Sequence, residues 1–299
     1  MHYSVLLDES IELLNINPDG IYIDGTFGRG GHTKEILAKL SNKGRLIAFD
    51  KDIVAVNHAL ELKDKRLEII HDSFAKVREH LKEFGIERVD GLLLDLGVSS
   101  PQLDVKERGF SFRLNGELDM RMDNTKGINA RQWINQVAED ELAKVLWQYS
   151  EERFSRKIAH NIVIERAKKE ITTTNELAKI ISDCIPFKEK GQHPATRSFQ
   201  AIRIFINNEL GDLEAILSEL PLILNHGARV VVISFHSLED RIVKNKFNEL
   251  ASNNLPKWVV STDSKKEYRI IAKKIRASIE EISKNKRSKS GIMRCLERI

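Results

Sequence analysis

Asp24-Gly25-Thr26-Phe27-Gly28-Arg29-Gly30-Gly31-His32 is the stretch on which the fold turns. Ahead of it, Gly20-Ile21-Tyr22-Ile23-Asp24 reads as a short apolar strand; behind it, Thr33 to Leu40 carries apolar residues at helical spacing. Strand, glycine-rich turn and helix make the geometry of a nucleotide-cofactor site, where glycines let the backbone approach a ligand and helix N–H groups face it. Asp50 closes a second strand, Arg45 to Asp50, about 20 residues beyond the turn, where a carboxylate meets ribose hydroxyls. A tight βα connection without a ligand would read the same way. The turn is no P-loop, because no Gly-Lys-Ser/Thr follows, and His32 and Thr33 break the G-x-G-x-x-G pattern. A cofactor without a pyrophosphate fits better. S-adenosylmethionine has a ribose to anchor and no phosphates to cradle.

Outward from this stretch the chain alternates. Leu67 to His71 and Val89 to Leu96 read as strands three and four, with helices at Ile53 to Leu62 and Val77 to Phe84. That rhythm predicts an α/β fold, a Rossmann-like, doubly wound and mostly parallel sheet covered on both faces. Ligands of such sheets sit beyond the C-terminal strand ends. Asp24, Asp50, Phe74 and Asp95 all fall there. After Asp95 the rhythm breaks: Ala130 to Gln148, Glu151 to Glu170 and Glu176 to Cys184 read as helices, the last capped from Thr172-Thr173-Thr174-Asn175. The expected organisation is a core of residues 1–104 and 196–299 around an inserted all-helical domain, 105–195, as the RNA-recognising part. A long amphipathic segment, Thr196 to Leu224, then leads to Gly227 as a helix stop and to a central strand, Ala228 to Phe235. Trp258 to Val260, Tyr268 to Ile271 and Met293 to Leu296 offer the last strands.

The 299 residues are 41% hydrophobic, enough for a sizeable core. No signal peptide and no run of about 20 apolar residues is visible, and the two cysteines, Cys184 and Cys295, are far apart with no C-x-x-C. These features point to a cytoplasmic protein with no membrane partner, no disulfide framework and no metal. The net charge of +4 is unevenly placed: 13 Lys and Arg stand against 5 Asp and Glu between residues 255 and 299, leaving the remainder slightly acidic. A basic end suggests a polyanion-facing edge, or simply a solvated terminus.

Six further blocks join the turn: LDLGVSSPQLD at 94–104, ERGFSFR at 107–113, LDMRMD at 118–123, ERFSRKIA at 152–159, HPATRSFQA at 193–201 and ISFHSLED at 233–240. Together, in this order and across nearly the whole chain, they resemble the bacterial 16S rRNA (cytosine-N4)-methyltransferase family. The resemblance implies a class I S-adenosylmethionine-dependent methyltransferase fold with a helical insertion. It also implies methyl transfer to N4 of a P-site cytidine of 16S rRNA in the small ribosomal subunit. By matching motifs, the cofactor contacts would be Gly30, Gly31, His32, Asp50, Phe74, Asp95 and Gln102. One departure lies near the C-terminus, where the family reads Asn-Pro-Arg-x-Arg-Ser-Ala-Lys-Leu-Arg and this chain reads NKRSKSGIMR at 285–294.

Cytosine's exocyclic amine is conjugated and barely basic, so an acceptor must bond its N–H and help shed a proton. Asp95 with the hydroxyls of Ser99 and Ser100 is the candidate set; Asp95 alternatively serves the cofactor alone. His236 reads as a group for substrate orientation or proton handling, or as a helix cap. Phe110, Phe112 and Arg113 could hold an unstacked base, or the two phenylalanines could plug a core. Arg197, Arg203 and the tail residues Lys286, Arg287 and Lys289 are phosphate-contact candidates, or solvated faces. A serine hydrolase is excluded because Pro101 stands where G-x-S-x-G needs glycine. Other acceptors, DNA or a small molecule, share the fold and cofactor, but neither insertion nor basic tail is needed for a small substrate. A binding protein with a vestigial site would not be expected to retain Gly30, Gly31, Asp50 and Asp95, and a nicotinamide dehydrogenase lacks its glycine spacing. The oligomeric state stays open, a homodimer included.

Overall fold

The computed structural model describes residues 4–186, 193–252 and 266–299. They form two compact units, Met1–Gly97 with Leu210–Ile299, and Val98–Glu209.

The first unit opens with α1 (Leu7–Leu14), β1 (Ile21–Asp24), α2 (Gly31–Lys39), β2 (Arg45–Asp50), α3 (Ile53–Leu60), β3 (Leu67–His71), α4 (Val77–Glu83) and β4 (Val89–Asp95). The second unit holds α5 (Ser100–Asp104), α6 (Ala130–Gln136), α7 (Glu139–Ser150), α8 (Ser155–Lys168), α9 (Thr174–Cys184) and α10 (Thr196–Ile206). The chain then returns through α11 (Glu209–Ile223), β5 (Leu224–Ser234), α12 (Ser237–Ala251), β6 (Tyr268–Ile275), α13 (Ile279–Lys284) and β7 (Ile292–Arg298).

The seven strands make one sheet in the order β3-β2-β1-β4-β5-β7-β6. The first five run parallel; β7 lies antiparallel between β5 and β6. The order reverses between β1 and β4, and a ligand crevice opens beyond the strand ends at such a point. Leu92, Leu93 and Leu94 are fully buried in β4, as a strand covered on both faces requires. The doubly wound sheet with its antiparallel last pair is the class I methyltransferase fold.

The helical unit is wider than 105–195. Phe199, Ala201 and Ile202 of α10 bury into one apolar cluster with Trp133, Leu146, Ile158 and Ile181, so α10 packs with the helices that precede it. The long segment from Thr196 to Leu224 is two helices. Asn208 adopts φ 50 between them, a left-handed conformation that ends α10. Gly227 is not a helix stop: β5 begins at Leu224, and Gly227, at φ 82, lies inside it where the pairing with β4 shifts register. Ala130 to Gln148 likewise divides, because Val137 and Ala138 are extended and the acidic Glu139, Asp140 and Glu141 favour a fresh helix N-terminus. Trp258 to Val260 lie outside the described residues.

Candidate functional site

The carboxyl ends of β1 and β4 are tied together before any ligand is considered. The Gly25 N–H donates to the Leu93 carbonyl at 2.9 Å, and the Asp95 N–H donates to Thr26 Oγ1 at 2.7 Å. Asp24, 1% exposed, accepts from the Thr26 N–H at 3.1 Å and the Thr33 hydroxyl at 2.6 Å, which locks the turn onto α2. Gly30 sits at φ 72, where an L side chain is strained, and a Cβ there would press on the Phe27 ring at 2.8 Å. A Cβ on Gly31 would collide with Ser4 Oγ. The glycines therefore admit the protein's own side chains as well as freeing the first N–H groups of α2 to face outward.

At the end of β2, Asp50 takes the Gly28 N–H on Oδ2 and the Asp52 N–H on Oδ1, both at 2.8 Å. Burial raises its carboxyl to about 6, with the charges of Asp52 and Asp24 adding to the shift against those hydrogen bonds. Phe74 follows β3, and a Cβ on Gly25 would lie 3.1 Å from Phe74 Cβ, so the ring stands close over the end of β1. Sequence reasoning missed what holds this side. Lys51 Nζ pairs with Asp212 Oδ2 at 2.5 Å, and the Ser73 hydroxyl donates to the same carboxylate. One residue of α11 thus braces the segments that carry Asp50 and Phe74.

His32 and Asp95 face each other. The His32 Nε2–H donates to the Val5 carbonyl at 3.2 Å, so Nδ1 carries the lone pair, and it lies 3.9 Å from Asp95 Oδ2. Burial lowers the imidazole to about 4, so it is neutral at pH 7. Asp95 is 24% exposed at its side chain, yet its Oδ1 is buried without a hydrogen-bond partner among the described residues. Burial first, then the charges of Asp24, Glu239 and Glu281, push its carboxyl well above the usual range. An orphaned oxygen in acidic surroundings is costly unless a cation or donor arrives there. The donor set fits S-adenosylmethionine: a carboxylate for the ribose, helix N–H groups, an aromatic face, and a second carboxylate for positive charge.

The family model of the MraW methylase family matches residues 1–299. The chain belongs to the MraW methylase family. Ribosomal RNA small subunit methyltransferase H of Marinomonas sp. is 50% identical over 305 residues, covering 100% of this chain and 97% of the relative. Proteins of the same name from Chromobacterium violaceum and Burkholderia ambifaria are 48% and 49% identical across all of this chain, and cover 95% and 97% of their own. The family read from the seven sequence blocks is the family found.

In this MraW-family chain the remaining candidates divide. His236 is the N-cap of α12: its Nδ1 accepts the Glu239 N–H at 3.4 Å, while Glu239 Oε2 takes the Phe235 and His236 N–H groups at 2.8 and 3.3 Å. That is the capping alternative of its sequence reading. In the helical unit, Ser99 and Ser100 open α5, and Gln102 is buried with its amide oxygen taken by the Ser99 N–H at 2.9 Å. Phe110 is buried beneath the Arg108 guanidinium, 5.7 Å from its ring centroid, and Phe112 packs on His193 and Phe199 at 4.5 and 4.8 Å. Phe110 is thereby the core plug of its sequence reading, not a base-stacking face, whereas Phe112 is half-buried, Arg113 exposed and Arg197 half-buried.

Arg203 is also corrected. Its guanidinium forks onto Glu209 with two 2.8 Å bonds and is 15% exposed, so it braces the end of α10 and is not presented to phosphate. Arg203→Ala is expected to cost about 3 kcal/mol of stability, because Glu209 is left buried and unpaired. Denaturant titration measures this loss, while the salt dependence of RNA binding stays as in the parent chain. In the tail, Lys286 and Lys289 are exposed on a short 3₁₀ turn and Arg287 is half-buried.

Proposed function

We propose that this chain methylates the N4 amine of a P-site cytidine in 16S rRNA, using S-adenosylmethionine, and that it acts on the small ribosomal subunit in the cytoplasm. The observation that carries the reading is Asp95, at the switch point of the sheet, with a buried oxygen that has no partner among the described residues and with the charges of Asp24, Glu239 and Glu281 acting on it. Such a strand end favours a donor that is cationic at its sulfonium and ammonium. The names of the relatives support the acceptor class.

The cofactor, when bound, supplies a methyl group on a good leaving atom, so an in-line displacement needs chiefly positioning. Asp50 would hold its ribose hydroxyls, the N–H groups of Gly31 and His32 would bind its polar end, and Phe74 would offer an aromatic face to the adenine. Asp95 accepts a hydrogen bond from the methionine ammonium or from the cytosine amine, drawing the amine's lone pair out of conjugation. Lys286, Arg287 and Lys289 contact phosphates.

Deleting the gene in its host and analysing small-subunit rRNA nucleosides tests the reaction. One N4-methylated cytidine should disappear and return with the wild-type gene; its persistence in the deletion would contradict the proposal. Neutralising Lys286, Arg287 and Lys289 together should weaken RNA binding and reduce the slope of log affinity against log salt by about 2, near 0.7 per lost single-strand phosphate contact. An unchanged slope removes the tail from the RNA interface.

A further inference from the structure

The basic turn and the N-terminal segment that backs the glycine turn meet through one carboxylate oxygen. Glu281 Oε1, on α13, accepts the Leu6 N–H at 2.9 Å and the Ser288 hydroxyl at 2.6 Å. Ser288 is buried in the turn Lys286–Ser290, whose start Asn285 caps by accepting the Arg287 N–H at 3.1 Å. Leu6 precedes α1 at φ 51, a left-handed conformation that costs a leucine about 1 kcal/mol or more, and its side chain is fully buried. A residue strained in this way needs an external hold, and Glu281 bonds the only donor its backbone has.

The two residues before Leu6 form the wall behind the glycine turn. The Val5 carbonyl takes the His32 Nε2–H at 3.2 Å and so sets the imidazole's tautomer. Ser4 Oγ fills the space that a Cβ on Gly31 would need. Gly291 lies beside the same segment: a Cβ there would stand 3.0 Å from Val5 Cγ1. The contacts thus run from the basic turn to Glu281, through Leu6, Val5 and Ser4, to Gly31 and His32, and the last of these faces Asp95.

We infer that Glu281 is a positioning residue for the donor site: it holds Ser4 to Leu6 against Gly31 and His32 while seating the basic turn on the same oxygen. This rests on the proposed cofactor role of that turn. Glu281 touches neither cofactor nor acceptor; it fixes the backbone and the imidazole that do. The same oxygen gives the C-terminal segment a task besides phosphate contact, because its docking completes the wall of the cofactor turn.

Three variants of the full chain test this, by equilibrium dialysis with labelled S-adenosylmethionine and by steady-state kinetics on small subunits. Glu281→Ala should raise the Kd and the KM for S-adenosylmethionine about tenfold, because the Leu6 N–H and the Ser288 hydroxyl both lose their charged acceptor. Glu281→Gln keeps an amide oxygen that accepts both hydrogen bonds but lacks the charge near Asp95, so it should bind the cofactor more tightly than Ala without reaching wild type. Gly291→Ala leaves Glu281 intact and crowds the Val5 side chain, and should raise the same Kd severalfold. Wild-type cofactor affinity in Glu281→Ala, or in Gly291→Ala if the first variant does not fold, overturns the inference; so does a Gln variant as weak as Ala. Failure of the wild-type chain to bind S-adenosylmethionine would instead overturn the reading of the site itself.

Discussion

Asp95→Asn is expected to lower kcat by about 100-fold or more, the loss that follows when a group aimed at developing charge is removed, while the folded protein becomes more stable. The two effects have one origin. Burial and the charges of Asp24, Glu239 and Glu281 raise the Asp95 carboxyl, so the folded chain holds that proton more tightly than the unfolded chain. Stability is therefore lost as pH rises from the ordinary carboxyl range through the raised value. Asn carries no such charge, so the gain in Tm should be present at neutral pH and vanish in acid. A melting curve at two pH values, beside a single-turnover rate, reads both. A variant that keeps its rate would show that Asp95 is only a structural carboxylate.

Asp50→Ala is expected to raise the Kd for S-adenosylmethionine about 100-fold, since it removes a charged acceptor for two ribose hydroxyls. Ionisation adds a second signature. The free carboxyl is raised to about 6, and ribose hydroxyls donate best to the ionised form. Binding then releases a proton below that value, so wild-type affinity should climb as pH rises from about 5 to about 7 and level off above. The Ala variant should lose that part of the pH dependence. Calorimetry in two buffers of different ionisation heat detects the proton directly. Unchanged affinity in Asp50→Ala would remove the residue from the site.

The strand ends were legible because strands in a βα alternation must end on one edge of the sheet. Asp24, Asp50 and Asp95 could be placed there from the period of apolar residues alone. The reason for Gly30 and Gly31 was only partly legible: their Cβ directions face Phe27 and Ser4, and the second of these depends on where the N-terminal segment folds back. Asp212 was invisible, since its partner Ser73 is 139 residues away and no local pattern links α11 to the ends of β2 and β3. Arg203 was misread for a similar reason. An arginine on an amphipathic helix looks solvent-facing until the helix is known to break at Asn208, which brings Glu209 onto its guanidinium. His236 was readable both ways, and Glu239 three residues on was the capping signal. The bond between Glu281 and Leu6 joins the two ends of the chain, 275 residues apart, beyond the reach of any spacing rule.

The most direct test of the central claim is transfer of labelled methyl from S-adenosylmethionine to purified small ribosomal subunits and to naked 16S rRNA, with the modified nucleotide mapped. The expected result is label on N4 of one P-site cytidine, present with wild type and sharply reduced in Asp50→Ala at cofactor concentrations that saturate the wild type. Label on another atom or nucleotide, or none on either substrate while the cofactor still binds, would contradict it.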